Sequence, residues 1–205
     1  MTTTTIDATT LTYASIEGSN AAYATARATA TDIYADNYVG QDKGGGLFYC
    51  NRGIFKYDTS VIPFVDVITR VYMKMAISSH LTWTDFDFQI VKCNWSTYDP
   101  LSSSNKDSIF DLILSSALDD HIWLNTVDIV INQYYESGVL DHTWINKGGL
   151  TYYGLRSKND QDTAEPTQSE YVTLDLTTKV PQLVITHAPP ARYYRGIGLN
   201  PLGGR

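Results

Sequence analysis

Two aspartates one residue apart, Asp85 and Asp87, have the spacing in this chain that most directly suggests chemistry. They stand at the start of an alternating apolar segment, residues 86–93, and side chains two residues apart on a strand point to the same face. Carboxylates paired in this way can bind calcium or act as a general acid and base. The alternative is that both belong to a solvated strand face. If the protein uses a metal, we expect calcium at Asp85 and Asp87, and we expect no other cofactor.

Carboxylates also stand beside imidazoles, within residues 119–121 and 141–142. A zinc site requires three or four convergent ligands, and the sequence contains neither a His-x-x-x-His nor a Cys-x-x-Cys spacing, so exposed loops are the simpler interpretation. The sequence also lacks a Gly-x-Ser-x-Gly nucleophile motif and a phosphate-binding loop. An esterase or lyase that acts through the aspartate pair and His121 is therefore the weakest hypothesis, and we expect a protein that is not an enzyme.

Aromatic side chains are abundant, with 15 tyrosines and 4 tryptophans. An exposed ring can stack on the apolar face of a sugar, whereas most aromatic residues of a β-sandwich fill its core. Trp144 and Tyr152 are the best candidates for exposed rings. A glycan-binding site at Trp144 and Tyr152 is thus one hypothesis, and core packing of the same rings is its alternative.

Residues 52–63 form the most clearly marked strand and turn of the chain. Apolar and polar residues alternate, and the strand is predicted to end at an Asp-Thr-Ser corner before Pro63, which cannot donate to a sheet. Asp58 in this corner could bind calcium or act as an acid, but we predict that it forms the turn through nearby backbone amides. Arg52 is predicted to pair with Asp58 in a structural ion pair.

The rest of the chain predicts an all-β fold, an antiparallel β-sandwich of the jelly-roll type with extended N- and C-terminal arms. Thr, Val, Ile and Tyr are the residues of half-buried pleated surfaces, and short alternating segments such as 65–76 and 182–186 recur between turn signals. The Ala-Thr alternation that begins at Tyr23 favours a strand over a helix. Helical spacing is plausible only at residues 109–118 and 126–135.

Charge and hydropathy argue against two classes of partner. A formal net charge of −7 and an isoelectric point near 4.9 disfavour nucleic acid, because the protein has few cations to replace the phosphate counterions. No run approaches the roughly 20 apolar residues of a membrane-spanning helix, so we expect no membrane partner. The first residues resemble no secretion signal, and we expect release by another route, such as assembly into a particle freed by lysis.

The two cysteines, Cys50 and Cys93, lie in apolar or aromatic segments. We predict that both are buried thiols, which need no partner. A disulfide between them is the alternative, although a chain of this length does not require one to fold.

Gly40-Gln41 and residues 52–63, Arg-Gly-Ile-Phe-Lys-Tyr-Asp-Thr-Ser-Val-Ile-Pro, resemble the DNRLRE-type β-sandwich family, which is related to carbohydrate-binding modules. An aromatic residue followed by Asp-Thr-Ser-x-Ile-Pro is typical of that family. Residues 181–186, Pro-Gln-Leu-Val-Ile-Thr, are similar to its closing strand. The resemblance covers residues 23–187 and implies a sandwich fold. Stand-alone members of this kind look like phage or virion components.

Three regions are predicted: an N-terminal arm at residues 1–22, the sandwich at 23–187, and a C-terminal extension at 188–205. The extension places apolar and aromatic residues between arginines, and such side chains are costly to expose unless they dock against a partner. Disorder of the extension is the alternative. The predicted assembly residues are Arg192, Tyr193, Tyr194, Arg195, Ile197, Leu199 and Leu202.

These patterns lead to two functional hypotheses. The first is a non-enzymatic structural protein that forms homo-oligomers and contacts other virion proteins through its arms, as a capsid decoration, head fibre, tail component or filament. It would be located in a virion or another extracellular assembly. The second is an adhesion module that binds surface glycans, with calcium as a stabilising ion. The two are compatible if a virion component adheres to host sugars.

Overall fold

A computed structural model describes residues 1–8, 13–82, 84–125 and 128–191 of the chain, and within them the secondary structure is mainly strand. Three helices accompany the strands: α1 (Tyr23–Ala28), α2 (Lys106–Ser115) and α3 (Lys158–Gln161). The strands are β1 (Thr2–Asp7), β2 (Tyr13–Asn20), β3 (Asp32–Tyr34), β4 (Tyr38–Gly44), β5 (Leu47–Asp58), β6 (Val67–Thr82), β7 (Phe86–Val91), β8 (Leu118–Leu124), β9 (Tyr134–Glu136), β10 (Leu150–Ser157), β11 (Glu170–Leu174) and β12 (Gln182–Ala188).

Every strand pair in the described ranges is antiparallel, which confirms the predicted all-β antiparallel fold. The 16-residue β6 belongs to two sheets, because residues 67–74 pair with β12 and residues 77–82 pair with β11. A small sheet contains β1, β12, the first half of β6 and β9. A large sheet runs from the second half of β6 through β11, β4, β5, β10 and β7 to β8, and β2 and β3 extend it beside β5.

The main core contains side chains from both sheets. On β7, Phe86, Phe88 and Ile90 point into it, as their alternation predicts. The small sheet contributes Ile6, Val71, Met73, Leu183 and Ile185. The large sheet contributes Phe55, Tyr57, Tyr153, Leu155 and Val172.

A second apolar cluster packs on the other face of the large sheet. Ile54 and Val91, each adjacent in sequence to a residue of the main core, point into this second cluster because neighbouring strand residues face opposite sides. Both cysteines lie in it as free, buried thiols, as predicted, and burial raises the pKa of Cys93 to about 12. The helices α1 and α2 cover this cluster through Tyr23, Ala26, Ile109, Phe110 and Ile113.

The helices differ in part from the sequence prediction. The prediction of a strand at Tyr23 is wrong, since α1 begins there and buries Tyr23 and Ala26, three residues apart on one helical face. The helical spacing at 109–118 corresponds to α2, which starts and ends three residues earlier. Residues 128–133 form turns rather than a helix. No helix in the described part of the chain is long and apolar enough to cross a membrane.

The strand pairing corrects the predicted N-terminal boundary. Within residues 1–22, β1 pairs with β12 and β2 pairs with β5, so this segment supplies two strands of the domain. The weak apolar pattern of the segment concealed this role, because an edge strand such as β1 buries little more than Ile6. At the other end, β12 closes at Ala188. The predicted assembly residues, Arg192 to Leu202, lie outside the described residues.

Candidate functional site

Asp58 forms the predicted turn at the end of β5. Its Oδ1 accepts hydrogen bonds from the backbone amide of Ser60 at 3.1 Å and from the Ser60 hydroxyl at 2.5 Å. These bonds hold the pKa of the exposed Asp58 carboxyl below its usual range. The next side chain, Thr59, is buried, and its single hydroxyl proton is shared between the carbonyl oxygens of Asn146 and Gly149, at 2.7 and 2.8 Å from Oγ1. The corner is therefore a structural anchor.

Arg52 pairs with Asp160 of α3, and the predicted Arg52–Asp58 pair is wrong. Both residues lie on β5, and six residues of extended chain separate them by ~20 Å. The fully buried Arg52 guanidinium donates from Nε and Nη2 to the Asp160 carboxylate at 2.7 and 3.0 Å, and Arg27 Nε donates to it at 3.0 Å. Ser157 caps α3 and so orients Asp160. We call Arg27, Arg52 and Asp160 the buried arginine cluster.

The paired aspartates lie at the start of β7. Asp85 is exposed just before the strand, and Asp87 is half-buried within it, opposite Trp123 of β8. The register places His121 opposite Gln89 and thus diagonal to Asp87 on the same face. In the described ranges, no three His, Cys, Asp or Glu residues are arranged to hold a metal ion. Calcium binding at Asp85 and Asp87 stays a prediction.

Two of the carboxylates beside imidazoles, Asp119 and Asp141, stabilise the loop that contains His142. Asp119 accepts the backbone N–H of Asp141 at 2.8 Å, and burial raises the pKa of the Asp119 carboxyl. Asp141 in turn accepts from the backbone amide of Thr143 at 2.9 Å and caps the short 3-10 turn that contains His142. The hydroxyl and amide of Thr143 lower the pKa of Asp141 to about 2.

The structure brings Trp144 and Tyr152 together. Trp144 Nε1 donates to the Tyr152 carbonyl oxygen at 2.8 Å, and both half-buried residues line a shallow cavity of about 160 Å³. The Tyr152 ring contacts Trp95 edge-on at 4.9 Å between centroids, and its hydroxyl donates to Asp99 at 3.1 Å. Burial, and then Asp99, raises the pKa of Tyr152 to about 12. A sugar-binding role for this pair stays a prediction.

A larger aromatic cavity lies elsewhere on the large sheet, at residues that the sequence did not single out. It has a volume of about 280 Å³ and lies over β2, β3, β4, β5 and β11. We call it the tyrosine groove. It is lined by Glu17, Tyr34, Tyr38, Asp42, Tyr49, Asn51 and Tyr171.

The register of the strands brings the residues of the tyrosine groove side by side. Glu17 of β2 and Gly40 of β4 both pair with Asn51 of β5, from its two sides. Gly40 pairs in turn with Tyr171 of β11, so one row of residues crosses four strands. Gly40 has a φ of +131°, and a Cβ on it would lie 2.2 Å from the carbonyl oxygen of Glu170. Only glycine therefore permits this close approach of β4 to β11.

The tyrosine rings form walls that are nearly perpendicular to one another. Tyr34 and Tyr38 have centroids 6.2 Å apart at an angle of 88°, and Tyr38 and Tyr171 are 5.9 Å apart at 79°. These edge-to-face contacts are favourable and hold the rings in place. Tyr34, at 37% exposure, remains accessible and donates from its hydroxyl to Glu17 Oε1 at 3.4 Å.

The groove is acidic and contains an amide oxygen that has no hydrogen-bond partner. Burial raises the pKa of Glu17, and the nearby charges of Asp32 and Asp42 raise it further. Burial and Asp42 likewise raise the pKa of Tyr171. Asn51 is only 6% exposed, yet its Oδ1 has no hydrogen-bond partner. Buried polar atoms normally have a partner, so the groove offers acceptor oxygens beside aromatic surfaces.

Comparison with protein-family models finds no match for this chain, and comparison with curated proteins finds no similar sequence either. The resemblance of residues 23–187 to the DNRLRE-type family stays a prediction.

Proposed function

We propose that this protein is a non-enzymatic glycan-binding module and that the tyrosine groove is its binding site. The observation that carries the proposal is the acceptor set of Glu17, Asp42 and Asn51 enclosed by accessible tyrosine rings. Sugars present apolar C–H faces that pack on aromatic rings, and hydroxyls that donate hydrogen bonds to carboxylate and amide oxygens. The groove volume of about 280 Å³ is near the lower end of small-molecule sites.

A glycan array with two matched aromatic variants tests this proposal. Tyr34→Ala removes an accessible groove wall, and we expect it to weaken binding about tenfold, because one aromatic contact contributes ~1.5 kcal/mol at most. Trp144→Ala removes the ring from the smaller cavity, and we expect it to bind as the unchanged protein does. If Trp144→Ala alone lost binding, the result would indicate that the glycan binds at Trp144 and Tyr152 instead of in the tyrosine groove. Binding of no glycan by the unchanged protein would overturn the proposal.

A second candidate function is structural assembly in a virion or filament, with the protein as a homo-oligomeric subunit. The observation that favours it is an exposed apolar run between β5 and β6, in which Phe64 and Val65 are 78% and 69% exposed. Lys147 fixes this run by donating to the carbonyl oxygens of Phe64 and Asp66 at 2.6 and 2.7 Å. Exposed apolar side chains on a fixed loop are typical of interaction surfaces.

We propose residues 189–205 of a neighbouring copy as the occupant of this surface. That segment contains apolar and aromatic residues, which match the exposed apolar side chains of this run, and three arginines, whose charge is opposite to the net charge of −7 of the whole chain. Light scattering tests the pairing. Deleting residues 189–205 and, separately, changing Phe64→Asp should each reduce the oligomer mass while the β-sheet circular dichroism is retained. An oligomer mass that neither change alters would exclude this mode of assembly.

A further inference from the structure

We propose that the tyrosine groove selects glycans that carry a free, positively charged amine, such as deacetylated amino sugars, over neutral and anionic glycans. The inference rests on the glycan-binding function proposed above and names the chemical class of the ligand.

The charged residues that line the tyrosine groove are acidic. Glu17 and Asp42 line the groove, and the strand register places Asp32 of β3 directly opposite Glu17 of β2. None of the seven lining residues is a lysine or an arginine. Lys43, the next residue on β4, is engaged elsewhere, since its Nζ lies 4.7 Å from the Phe48 ring centroid and 3.9 Å from Glu165. The groove thus concentrates negative charge.

The carboxylates of the groove have only uncharged partners among the described residues. Asp42 accepts from the Ser169 hydroxyl at 2.6 Å, and Glu17 accepts from the Tyr34 hydroxyl at 3.4 Å. Neither forms an ion pair within the described part of the chain. Burial and mutual repulsion raise the pKa of Glu17, which means that its charged form is disfavoured in the free protein. A bound ammonium group would relieve that repulsion, and a carboxylated or sulfated sugar would increase it.

The aromatic walls and the amide favour the same ligand. Tyrosine rings attract cations through their faces, and perpendicular rings can contact one ammonium group from two sides. The Asn51 Oδ1 atom lacks a donor, and an ammonium group carries three N–H donors. An N-acetyl group in the same place would offer one N–H and no charge. The selectivity therefore depends on Glu17, Asp42 and Asn51 acting with the tyrosines.

Titration calorimetry with three oligosaccharides of equal length tests the inference: a glucosamine oligomer, its fully N-acetylated counterpart and a galacturonate oligomer. The measurements are made at pH 6, below the pKa of about 7.7–8.0 of an α-amino group, so that the amine of the glucosamine oligomer is mainly in its protonated form. We expect the glucosamine oligomer to bind about tenfold more tightly than the N-acetylated one, and less tightly at high salt, whereas the galacturonate oligomer should not bind.

Two isosteric variants distinguish binding of the amine in the groove from general electrostatic attraction of a cationic ligand to an acidic protein. Glu17→Gln removes one groove charge and should reduce the preference for the glucosamine oligomer about fivefold. Glu136→Gln removes the charge of a β9 residue that pairs with Lys74 and does not line the groove, and should leave the preference unchanged. Equal losses in both variants, or in neither, would overturn the inference.

The outcomes distinguish the inference from the function on which it rests. If the N-acetylated oligomer binds as well as or better than the glucosamine oligomer, and Tyr34→Ala weakens it, the selectivity is refuted and glycan binding stands. If none of the three oligosaccharides binds and no glycan on the array binds, both proposals are refuted.

Discussion

Replacing Asp160 with asparagine should destabilise the protein strongly, because Asp160 is the carboxylate that compensates two buried or nearly buried arginines. It accepts three hydrogen bonds, two from Arg52 and one from Arg27. Hydrogen bonds to charged groups contribute about 1.5–3 kcal/mol each, so three give an upper bound of ~4.5–9 kcal/mol. Arg52 keeps other partners, since it donates to the Phe110 carbonyl oxygen at 2.9 Å and lies 3.7 Å from the Phe110 ring centroid.

We therefore expect the free energy of unfolding to fall by about 3–5 kcal/mol in Asp160→Asn, the range for removing one partner of a buried ion pair. With a urea m-value near ~3 kcal/mol per M, the midpoint of denaturation should shift by roughly 1–2 M at constant m. Asp162→Asn is the matched control. Asp162 lies two residues away, is half-exposed and pairs with Lys158, so its loss should cost less than ~0.5 kcal/mol.

A loss below ~1 kcal/mol in Asp160→Asn would refute the argument that the buried arginine cluster depends on this carboxylate. An equal loss in Asp162→Asn would also refute it, because the effect would then follow from the local helix α3 rather than from the buried charge.

Two further predictions concern the tyrosine groove. Gly40→Ala should lower the free energy of unfolding by about 3 kcal/mol in denaturant titrations, because the new Cβ would collide with the Glu170 carbonyl oxygen and the φ of +131° suits only glycine. Gly44→Ala is the control. Its Cβ would approach nothing closer than 3.8 Å, so the free energy of unfolding should change by less than ~0.5 kcal/mol. Glu17→Gln should raise the denaturation midpoint at pH 7, because the folded state raises the Glu17 pKa and so disfavours its charged form. This gain should disappear below about pH 4, where the carboxyl is protonated in both states; a gain that is independent of pH would contradict it.

The sequence predicts local features of this fold well. Alternation on β7 places Phe86, Phe88 and Ile90 on one face, and the structure confirms that they lie in the main core. The Asp58 turn is also confirmed, because an Asx-turn depends on the residue itself and on the amide two positions later. Both features require information from only a few adjacent residues.

Features that depend on distant residues were not predicted. The partner of Arg52 is 108 positions away in the chain, and nothing near either residue indicates the pairing. The alternation of Ala and Thr in α1 predicts a strand, although alanine is compatible with a helix by propensity. Burial of Tyr23 and Ala26, which lie on one helical face against the large sheet, decides for the helix.

The tyrosine groove, like the Arg52–Asp160 pair, depends on residues that are distant in the sequence. Glu17 lies in a segment predicted to be an arm, and Tyr171 is 154 residues further along the chain, so neither suggested a common site. The sequence by itself determined an acidic, tyrosine-rich, strand-forming chain with a turn at Asp58. Only the tertiary structure decided which strands lie side by side and in which register. Side-chain periodicity specifies the face of a strand that is buried, whereas the hydrogen-bonded register between strands specifies which side chains meet.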